Sequence, residues 1–154
     1  MKKKTQLLLI PLLLVVVQLM AQSTDGIAVK QPIEQLFTGM RTSDSTLVRA
    51  TLLAGGHLEG IVKKPNGDIS VKSDSFEGFL KNIAKATSGD LDERISRIEI
   101  RVDDDMATAW TPYQFYYKGN FSHCGVNTFR LIKTPSGWKI WSILDTRRKE
   151  NCVE

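Results

Sequence analysis

The stretch FSHCGVNTFRL, residues 121–131, carries the side chains best suited to chemistry in this sequence. It holds His123, Cys124 and Asn127 among apolar residues. An imidazole titrates near neutral pH, so His123 could act as a general acid or base, or could hydrogen-bond a ligand. Glu59 and Asp145 are the carboxylates that could assist it. His123, Glu59 and Asp145 are therefore candidate catalytic residues, although no reaction can be assigned to them.

The period of a β-strand limits which of these side chains can work together. Residues 123 and 127 are four apart, so His123 and Asn127 face the same side of a strand that has no bulge between them. Cys124 faces the other side, which argues against a nucleophile–base pair with His123. The alternative for His123 is a structural role, with its ring satisfied by a neighbour such as Asp145.

Cys124 and Cys152 are the two cysteines of the chain, and they could form a disulfide. Counting back from the turn TPSG places Lys133 opposite Trp138, and the same register places Cys124 opposite Arg147. Cys152 lies beyond this paired region, so the tail must fold back to bring the two Cα atoms within about 6 Å. An oxidising compartment would favour the bond. A free thiol is the competing hypothesis.

The N-terminus predicts export. MKKK is followed by the apolar run LLLIPLLLVVVQLM, which is shorter than the roughly 20 residues that span a bilayer. Ala21 is a plausible last residue before cleavage. We therefore predict a signal peptide over residues 1–21, one globular domain over residues 22–154, and a periplasmic or secreted location with no membrane attachment after cleavage.

Composition excludes several classes of function. Removing residues 1–21 takes away three lysines and no acids, which lowers the net charge from +4 to +1. A nearly neutral domain gives no basis for nucleic-acid binding. Two histidines and two cysteines without ligand spacing predict no metal site, and His57 is expected to be structural. The run Asp103–Asp105 is expected to be a solvated turn, and no phosphate loop or other cofactor motif is present.

The elements that position these residues follow from hydrophobic periodicity. A first helix has Pro32 in its first turn and one apolar face, and a second begins at Ser43 or Asp44 and ends at the AGG of residues 54–56. Asn66-Gly67 predicts a hairpin, and Ser73 or Asp74 is expected to cap a third helix. The apolar faces of the three helices are formed by Ile33, Leu36, Phe37 and Met40, by Leu47, Val48 and Leu52, and by Phe76, Phe79, Leu80 and Ile83.

From Arg94 onward the pattern predicts four long strands in a meander. The three helices of the N-terminal half would cover one face of a curved, mixed or antiparallel sheet, which gives a cone-shaped α+β fold with a pocket inside. Pro112 is expected to mark a bulge or an edge, so the inward parity of residues 109–117 stays open. The predicted ligand-binding residues of the pocket are Trp110, Tyr113, Phe115, His123, Asn127 and Trp141. The alternative for the aromatic residues is a place in the core of the sheet.

With this element order, residues 27–149 resemble the nuclear transport factor 2-like (NTF2-like) superfamily, which includes ketosteroid isomerase and SnoaL-like cyclases. The matching segments are IEQLFTGMRTSDSTLVRATL, MATAWTPYQFYYKG and GVNTFRLIKTPSGWKIWSI. AWTPYQFYYKGNFSHCGVNTFRL and ILDTRRKENC are similar to an exported bacterial branch named for proposed lumazine binding. The resemblance implies a cystatin-like α+β roll, and it implies a homodimer through the sheet because relatives often dimerise there.

The chemistry of ketosteroid isomerase does not carry over with the resemblance. Its helix tyrosine aligns at or near Leu36, its general base near Glu59 or Gly60, and its protonated aspartic acid at Asn127. Leucine cannot donate a proton, and an asparagine can donate a hydrogen bond but cannot act as a general acid.

These observations favour an exported protein that binds an unknown small molecule in an apolar and aromatic cavity, with no demonstrable catalysis. One alternative is a lyase, isomerase or hydrolase that uses a cavity histidine with a carboxylate. The other is a dimeric scaffold or partner-binding module that works through the outer face of its sheet.

Overall fold

A computed structural model describes residues 9–64 and 66–153, with side chains from Asp25 onward. These described residues form three helices and seven strands. The helices are α1 (Leu9–Thr42), α2 (Ser45–Thr51) and α3 (Phe76–Lys85). The strands are β1 (Leu52–Lys63), β2 (Ile69–Ser75), β3 (Leu91–Ile95), β4 (Glu99–Asp103), β5 (Met106–Tyr117), β6 (Asn120–Thr134) and β7 (Gly137–Thr146).

Helix α1 is longer than the sequence pattern predicts. Pro32 lies inside the helix rather than in its first turn. The buried stripe of Ile33, Leu36, Phe37 and Met40 continues one turn back to Val29, which is fully buried. Because this extra turn packs on the sheet, the helix continues through the proline despite the hydrogen bond that proline cannot donate.

The predicted signal peptide falls partly outside the described residues. Residues 1–8 are not described, and residues 9–21 belong to the backbone of α1. Cleavage and export therefore stay predictions. Within the part of the chain whose side chains the structure describes, no helix has the length and apolarity needed to cross a membrane.

The caps of the two short helices agree only in part with the expected ones. Asp44 caps α2, as predicted, by accepting hydrogen bonds from the backbone N–H groups of Thr46 and Leu47. The helix ends at Thr51, and the AGG of residues 54–56 belongs to β1 rather than to a helix end. Ser75 caps α3 in place of the predicted Ser73 or Asp74, because β2 continues to Ser75.

The seven strands form one mixed sheet in the order β2-β1-β7-β6-β5, with β3 and β4 both paired to the far side of β5. All pairs are antiparallel except β1 with β7. The β1–β2 hairpin turns at the predicted Asn66-Gly67, where Gly67 has φ +90°. The three helices and this curved sheet confirm the predicted α+β architecture.

Pro112 explains why the first predicted long strand is two short ones. Strand β3 pairs with residues 113–117 of β5 and β4 with residues 106–110. The carbonyl of Pro112 accepts a hydrogen bond from the N–H of Ser96, so the proline ring nitrogen also faces this side of β5. Since that nitrogen carries no hydrogen, the ladder is interrupted there, while pairing with β6 continues on the other side.

The β6–β7 register is shifted by one residue from the predicted one. Lys133 does oppose Trp138, but a bulge between Arg130 and Leu131 leaves Trp141 without an opposing residue. Cys124 therefore lies opposite Arg148 instead of Arg147. The tail does fold back, because Cys124 and Cys152 form a disulfide with a Cα–Cα distance of 5.7 Å.

The hydrophobic core lies between the helices and the inner face of the sheet. Phe37 of α1 meets Phe129 of β6 edge to face, with ring centroids 6.0 Å apart. The inner face of the sheet contributes Ala107, Ala109, Phe129, Leu131, Trp138, Ile140 and Ile143 to this core. In this part of β5 the odd-numbered residues point inward, which settles the parity that Pro112 had left open.

Candidate functional site

A cavity of about 200 Å³ lies between the helices and one end of the sheet. Its walls are mostly apolar, and its polar side chains lie on the strands except for Asn82 of α3 and Arg147, which follows β7. The apolar wall is formed by Leu36, Phe37, Met40, Leu58, Phe79, Ile83, Leu91, Phe115, Phe129 and Ile143. The polar lining residues are Glu59, Asn82, Glu93, His123, Asn127, Asp145 and Arg147.

Glu93 and Asn127 form the central polar pair of this cavity. The side-chain Nδ2 of Asn127 donates a hydrogen bond of 2.7 Å to Oε1 of Glu93. Burial raises the pKa of the Glu93 carboxyl to about 7, and the negative charge of Asp145 adds to the rise. The bond from Asn127 and the charge of Arg147 oppose the rise only partly. Near neutral pH this carboxyl can therefore donate or accept a proton.

Glu93 is the residue that the sequence analysis missed. The predicted sheet began at Arg94, whereas β3 begins at Leu91 and brings Glu93 opposite Phe115. Glu93 and Asn127 are 34 residues apart and lie on strands separated by β5. The only sequence signal was the alternation of Leu91, Glu93 and Ile95, which could not identify an inward-facing glutamate.

Asp145 and Arg147 form an ion pair at the opening of the cavity. Nη2 of Arg147 lies 2.8 Å from Oδ2 of Asp145, and Nε also donates to this carboxylate. Asp145 is thus held by an arginine and is not hydrogen-bonded to His123, which corrects the predicted structural partner of that histidine.

His123 lines the cavity on the same side of β6 as Asn127, as the strand parity predicted. Its Nδ1 lies 3.0 Å from Oγ of Ser122, and its ring packs against those of Tyr113 and Phe115. Burial lowers the pKa of His123, with a further decrease from the positive charges of Arg147 and Lys149. The imidazole is therefore neutral at pH 7 and can offer a hydrogen bond without carrying charge.

Glu59 also lines the cavity, and Oε2 of Glu59 lies 3.6 Å from Nε2 of His57. The structural role expected of His57 stays a prediction. The candidate catalytic residues His123, Glu59 and Asp145 thus all reach the cavity wall, but each has a local partner of its own. Glu93 is the carboxyl group whose burial and neighbours best suit proton transfer.

The predicted aromatic residues divide between the cavity and other places. Phe115 lines the cavity. Trp110 has even parity on β5, so it faces outward and is 45% exposed. Trp141 stands at the β7 bulge and covers the backbone of Gly55. The predicted placement of the two tryptophans in the pocket wall is therefore wrong, because strand parity and the bulge turn them away.

Tyr113 faces inward but is fully enclosed by protein instead of lining the cavity. Its ring passes over Gly125, and its hydroxyl donates a hydrogen bond of 3.0 Å to the carbonyl of Thr146. A Cβ at Gly125 would lie 1.8 Å from that same carbonyl oxygen, so only glycine fits there. Burial raises the pKa of Tyr113 above its ordinary value. Its role is to connect β5 to the end of β7 behind the site.

Across the described residues, no three His, Cys, Asp or Glu side chains come together as a metal ion would require. The chemistry that the cavity offers is hydrogen bonding and proton exchange. Glu93 and Asn127 can hydrogen-bond a hydroxyl or carbonyl group of a ligand, and His123 supplies a neutral ring nitrogen.

Comparisons with known proteins identify the fold through structure alone. No family model and no curated protein matches the sequence. Among solved structures, an NTF2-like protein with a cystatin-like fold from Novosphingobium aromaticivorans is similar with a TM-score of 0.66 and 14% identity. The match covers 88% of this chain and 90% of that one.

Two further structures are similar to the same degree. A proposed dehydratase from the NTF2-like family of Streptomyces avermitilis has a TM-score of 0.64 at 17% identity, over 82% of this chain and 98% of its own. A protein of unknown function with a cystatin-like fold from Nostoc punctiforme has a TM-score of 0.62 at 13% identity, over 81% and 92%. The chain therefore has the NTF2-like, cystatin-like α+β fold that the sequence resemblance predicted.

Proposed function

We propose that this protein binds a small, largely apolar molecule in the cavity and orients it through a hydroxyl or carbonyl group. The observation that carries the proposal is the pairing of an apolar wall with one partly buried polar pair, Glu93 and Asn127. Small-molecule sites combine these two features, since apolar contact supplies affinity and a few polar groups fix orientation.

The size of the cavity limits the ligand. Dry apolar cavities of about 150 Å³ accept benzene, so a cavity of about 200 Å³ suits a molecule with one ring and a short substituent. Glu93 with a pKa of about 7 can donate to a carbonyl when protonated and accept from a hydroxyl when ionised. Phe115 and Phe129 provide aromatic surface for the ring of the ligand.

We place this binding activity outside the cytoplasm. The Cys124–Cys152 disulfide supports export, because such bonds persist in oxidising compartments and are rare in the cytosol of most organisms. The signal-peptide pattern of residues 1–21 is the second support.

The proposal is tested by titrating 4-ethylphenol into ¹⁵N-labelled protein and following backbone amide shifts. We expect perturbations at Phe115, His123 and Asn127. Leu58→Phe fills the cavity and should abolish them, whereas Leu53→Phe, on the same strand but outside the cavity, should retain them. Shifts that are absent, or that persist unchanged in Leu58→Phe, would contradict binding at this site. Native mass spectrometry of protein purified from a bacterial periplasm would then identify any retained natural ligand.

A second candidate function is catalysis of a proton transfer, as in a lyase or isomerase. The observation that favours it is the pKa of Glu93, which burial brings close to the pH at which a general acid or base works best. In a dehydration, such a group removes a proton from carbon or delivers one to the departing hydroxyl. The dehydratase proposed among the structures of similar fold is consistent with this chemistry.

Measuring whether the protein converts its retained ligand distinguishes catalysis from binding alone. An enzyme should convert it with a rate that changes near pH 7, and Glu93→Gln should lower that rate by about 10²–10⁴-fold while binding persists. A bound compound that returns chemically unchanged after long incubation, in the wild type as in the variant, would leave the binding proposal and remove the catalytic one.

A further inference from the structure

A second cavity, of about 310 Å³, adjoins the opening of the first. His123 and Arg147 line both cavities, so the two cavities meet at these residues. The outer cavity is otherwise bounded by the end of β1, by Ser122, and by the segment that follows β7. Its lining residues are Ile61, Val62, Lys63, Ser122, His123, Arg147, Arg148 and Lys149.

The lining of this outer cavity is cationic. Four of its eight residues are lysine or arginine, and none of the eight is acidic. Asp145 neutralises Arg147, and Nε of Arg148 donates to the backbone carbonyl of Asn151. Lys63 and Lys149 have no ion-pair or hydrogen-bond partner among the described residues. The outer cavity therefore carries positive charge that no described side chain balances by an ion pair.

The segment that supplies this charge is held firmly against β6. The backbones of Cys124 and Arg148 exchange two hydrogen bonds, of 2.8 and 2.9 Å. The disulfide from Cys124 to Cys152 fixes the chain four residues further on. Because Arg147, Arg148 and Lys149 are anchored in this way, little order has to be gained when an anion binds between them.

We infer that the ligand carries an oxyanion group, such as a carboxylate, that the outer cavity binds while the apolar body of the ligand occupies the inner one. The inference rests on the proposed binding function and adds the charge class of the ligand. Guanidinium and ammonium groups are the usual partners of carboxylate and phosphate oxygens. The lowered pKa of His123 agrees with it, because Arg147 and Lys149 contribute to that decrease.

Three compounds with the same phenol ring test the inference. 4-Ethylphenol is neutral and short, 3-(4-hydroxyphenyl)propionate adds a carboxylate on a two-carbon arm, and 3-(4-hydroxyphenyl)propanamide replaces that carboxylate by a neutral group of equal size. In isothermal titration at low salt, we expect the carboxylate to bind about 10-fold tighter than the amide. Raising the salt concentration to about 0.5 M should remove most of this advantage.

Charge-removing variants assign the effect to the outer cavity. The double substitution Lys63→Gln and Lys149→Gln should weaken binding of the carboxylate about 5-fold and leave 4-ethylphenol unchanged. Lys85→Gln, at the end of α3 and outside both cavities, is the matched control and should change neither. Circular dichroism verifies that all variants are folded.

The outcomes separate this inference from the function on which it rests. Equal affinities for the carboxylate and the amide, with 4-ethylphenol still bound, would overturn the anionic ligand and leave the binding site intact. The same holds if the double variant keeps the full preference for the carboxylate. Failure of all three compounds to bind would contradict both proposals.

Discussion

The inward face of β6 changes character halfway along the strand. Its first half presents His123 and Asn127 to the cavity, and its second half presents Phe129 and Leu131 to the core, with Phe129 also bordering the cavity. The opposing residues of β5 differ as well. Ala107 and Ala109 lie across from Leu131 and Phe129, and Phe115 lies across from His123.

The difference lies in how space is filled. In the second half, each large side chain of β6 is matched by an alanine of β5, so α1 can approach and Phe37 contacts Phe129. In the first half, the space is left open and the polar groups satisfy one another, as Asn127 does with Glu93. One strand thus supports stability at one end and a site at the other, and the two roles can be tested separately.

Truncation in the packed half should have the largest effect on stability. Leu131 is fully buried, and Leu131→Ala should lower the free energy of unfolding by about 3 kcal/mol, within a usual range of about 2–5. His123→Ala should cost less than about 1 kcal/mol, because that side chain already borders a void. Urea unfolding measures both. If the two variants lose similar amounts of unfolding free energy, then the two halves of β6 do not differ in their contribution to stability.

Stability should also depend on pH through Glu93. Its pKa is about 7 in the folded protein, compared with an ordinary value of 4.5. Between these values the folded state holds a proton that the unfolded chain has released, so the free energy of unfolding falls as the pH rises through this window. We expect a loss of about 2 kcal/mol between pH 5 and pH 8, less than full burial would give because the carboxyl borders a cavity.

Glu93→Gln isolates this contribution, since glutamine keeps an oxygen for Asn127 but does not titrate. The difference in unfolding free energy between the wild type and this variant should decrease by about 2 kcal/mol over the same pH interval. Glu99→Gln, on the neighbouring strand β4, serves as the control and should show no such change. If the difference in unfolding free energy between the wild type and Glu93→Gln does not change with pH, then burial in the cavity does not raise the pKa of this carboxyl.

The smallest effect on stability should come from removing the Ser122 hydroxyl, which contacts the ring of His123. Ser122→Ala removes the hydroxyl that lies 3.0 Å from Nδ1 of His123, which should cost about 0.5–1 kcal/mol. The ¹⁵N shifts of the imidazole should report a change at Nδ1. If the ring nitrogens keep their shifts in Ser122→Ala, then another group orients this histidine.

Local patterns predicted most of the fold. The apolar faces of α1 and α3, the Asn66-Gly67 hairpin and the α2 cap depend on neighbours in sequence, and each is found where the pattern indicated. Leu52, predicted on the apolar face of the second helix, is instead the first residue of β1. The errors occur where tertiary contacts decide. Val29 extends α1 past Pro32, and the bulge at Trp141 shifts the β6–β7 register by one residue, which periodicity alone cannot reveal.

The sequence predicted correctly only those relations within the site that depend on a single strand. Parity on β6 correctly grouped His123 with Asn127, because that relation is local. The partner of Asn127 is Glu93, which comes from an edge strand whose start the sequence analysis placed three residues too late. The inward parity of β5 depended on the break at Pro112, so Trp110 and Phe115 could not be told apart in advance.

The interruption at Pro112 also determines how this sheet ends. An unbroken edge strand would offer a continuous row of unpaired backbone groups on which another chain could add. Here that edge consists of β3 and β4, two strands of five residues each that are offset by the residues between them. A foreign strand would find no straight template longer than a few residues. The proline that divides the ladder thereby also disfavours the addition of another chain along this edge of the sheet.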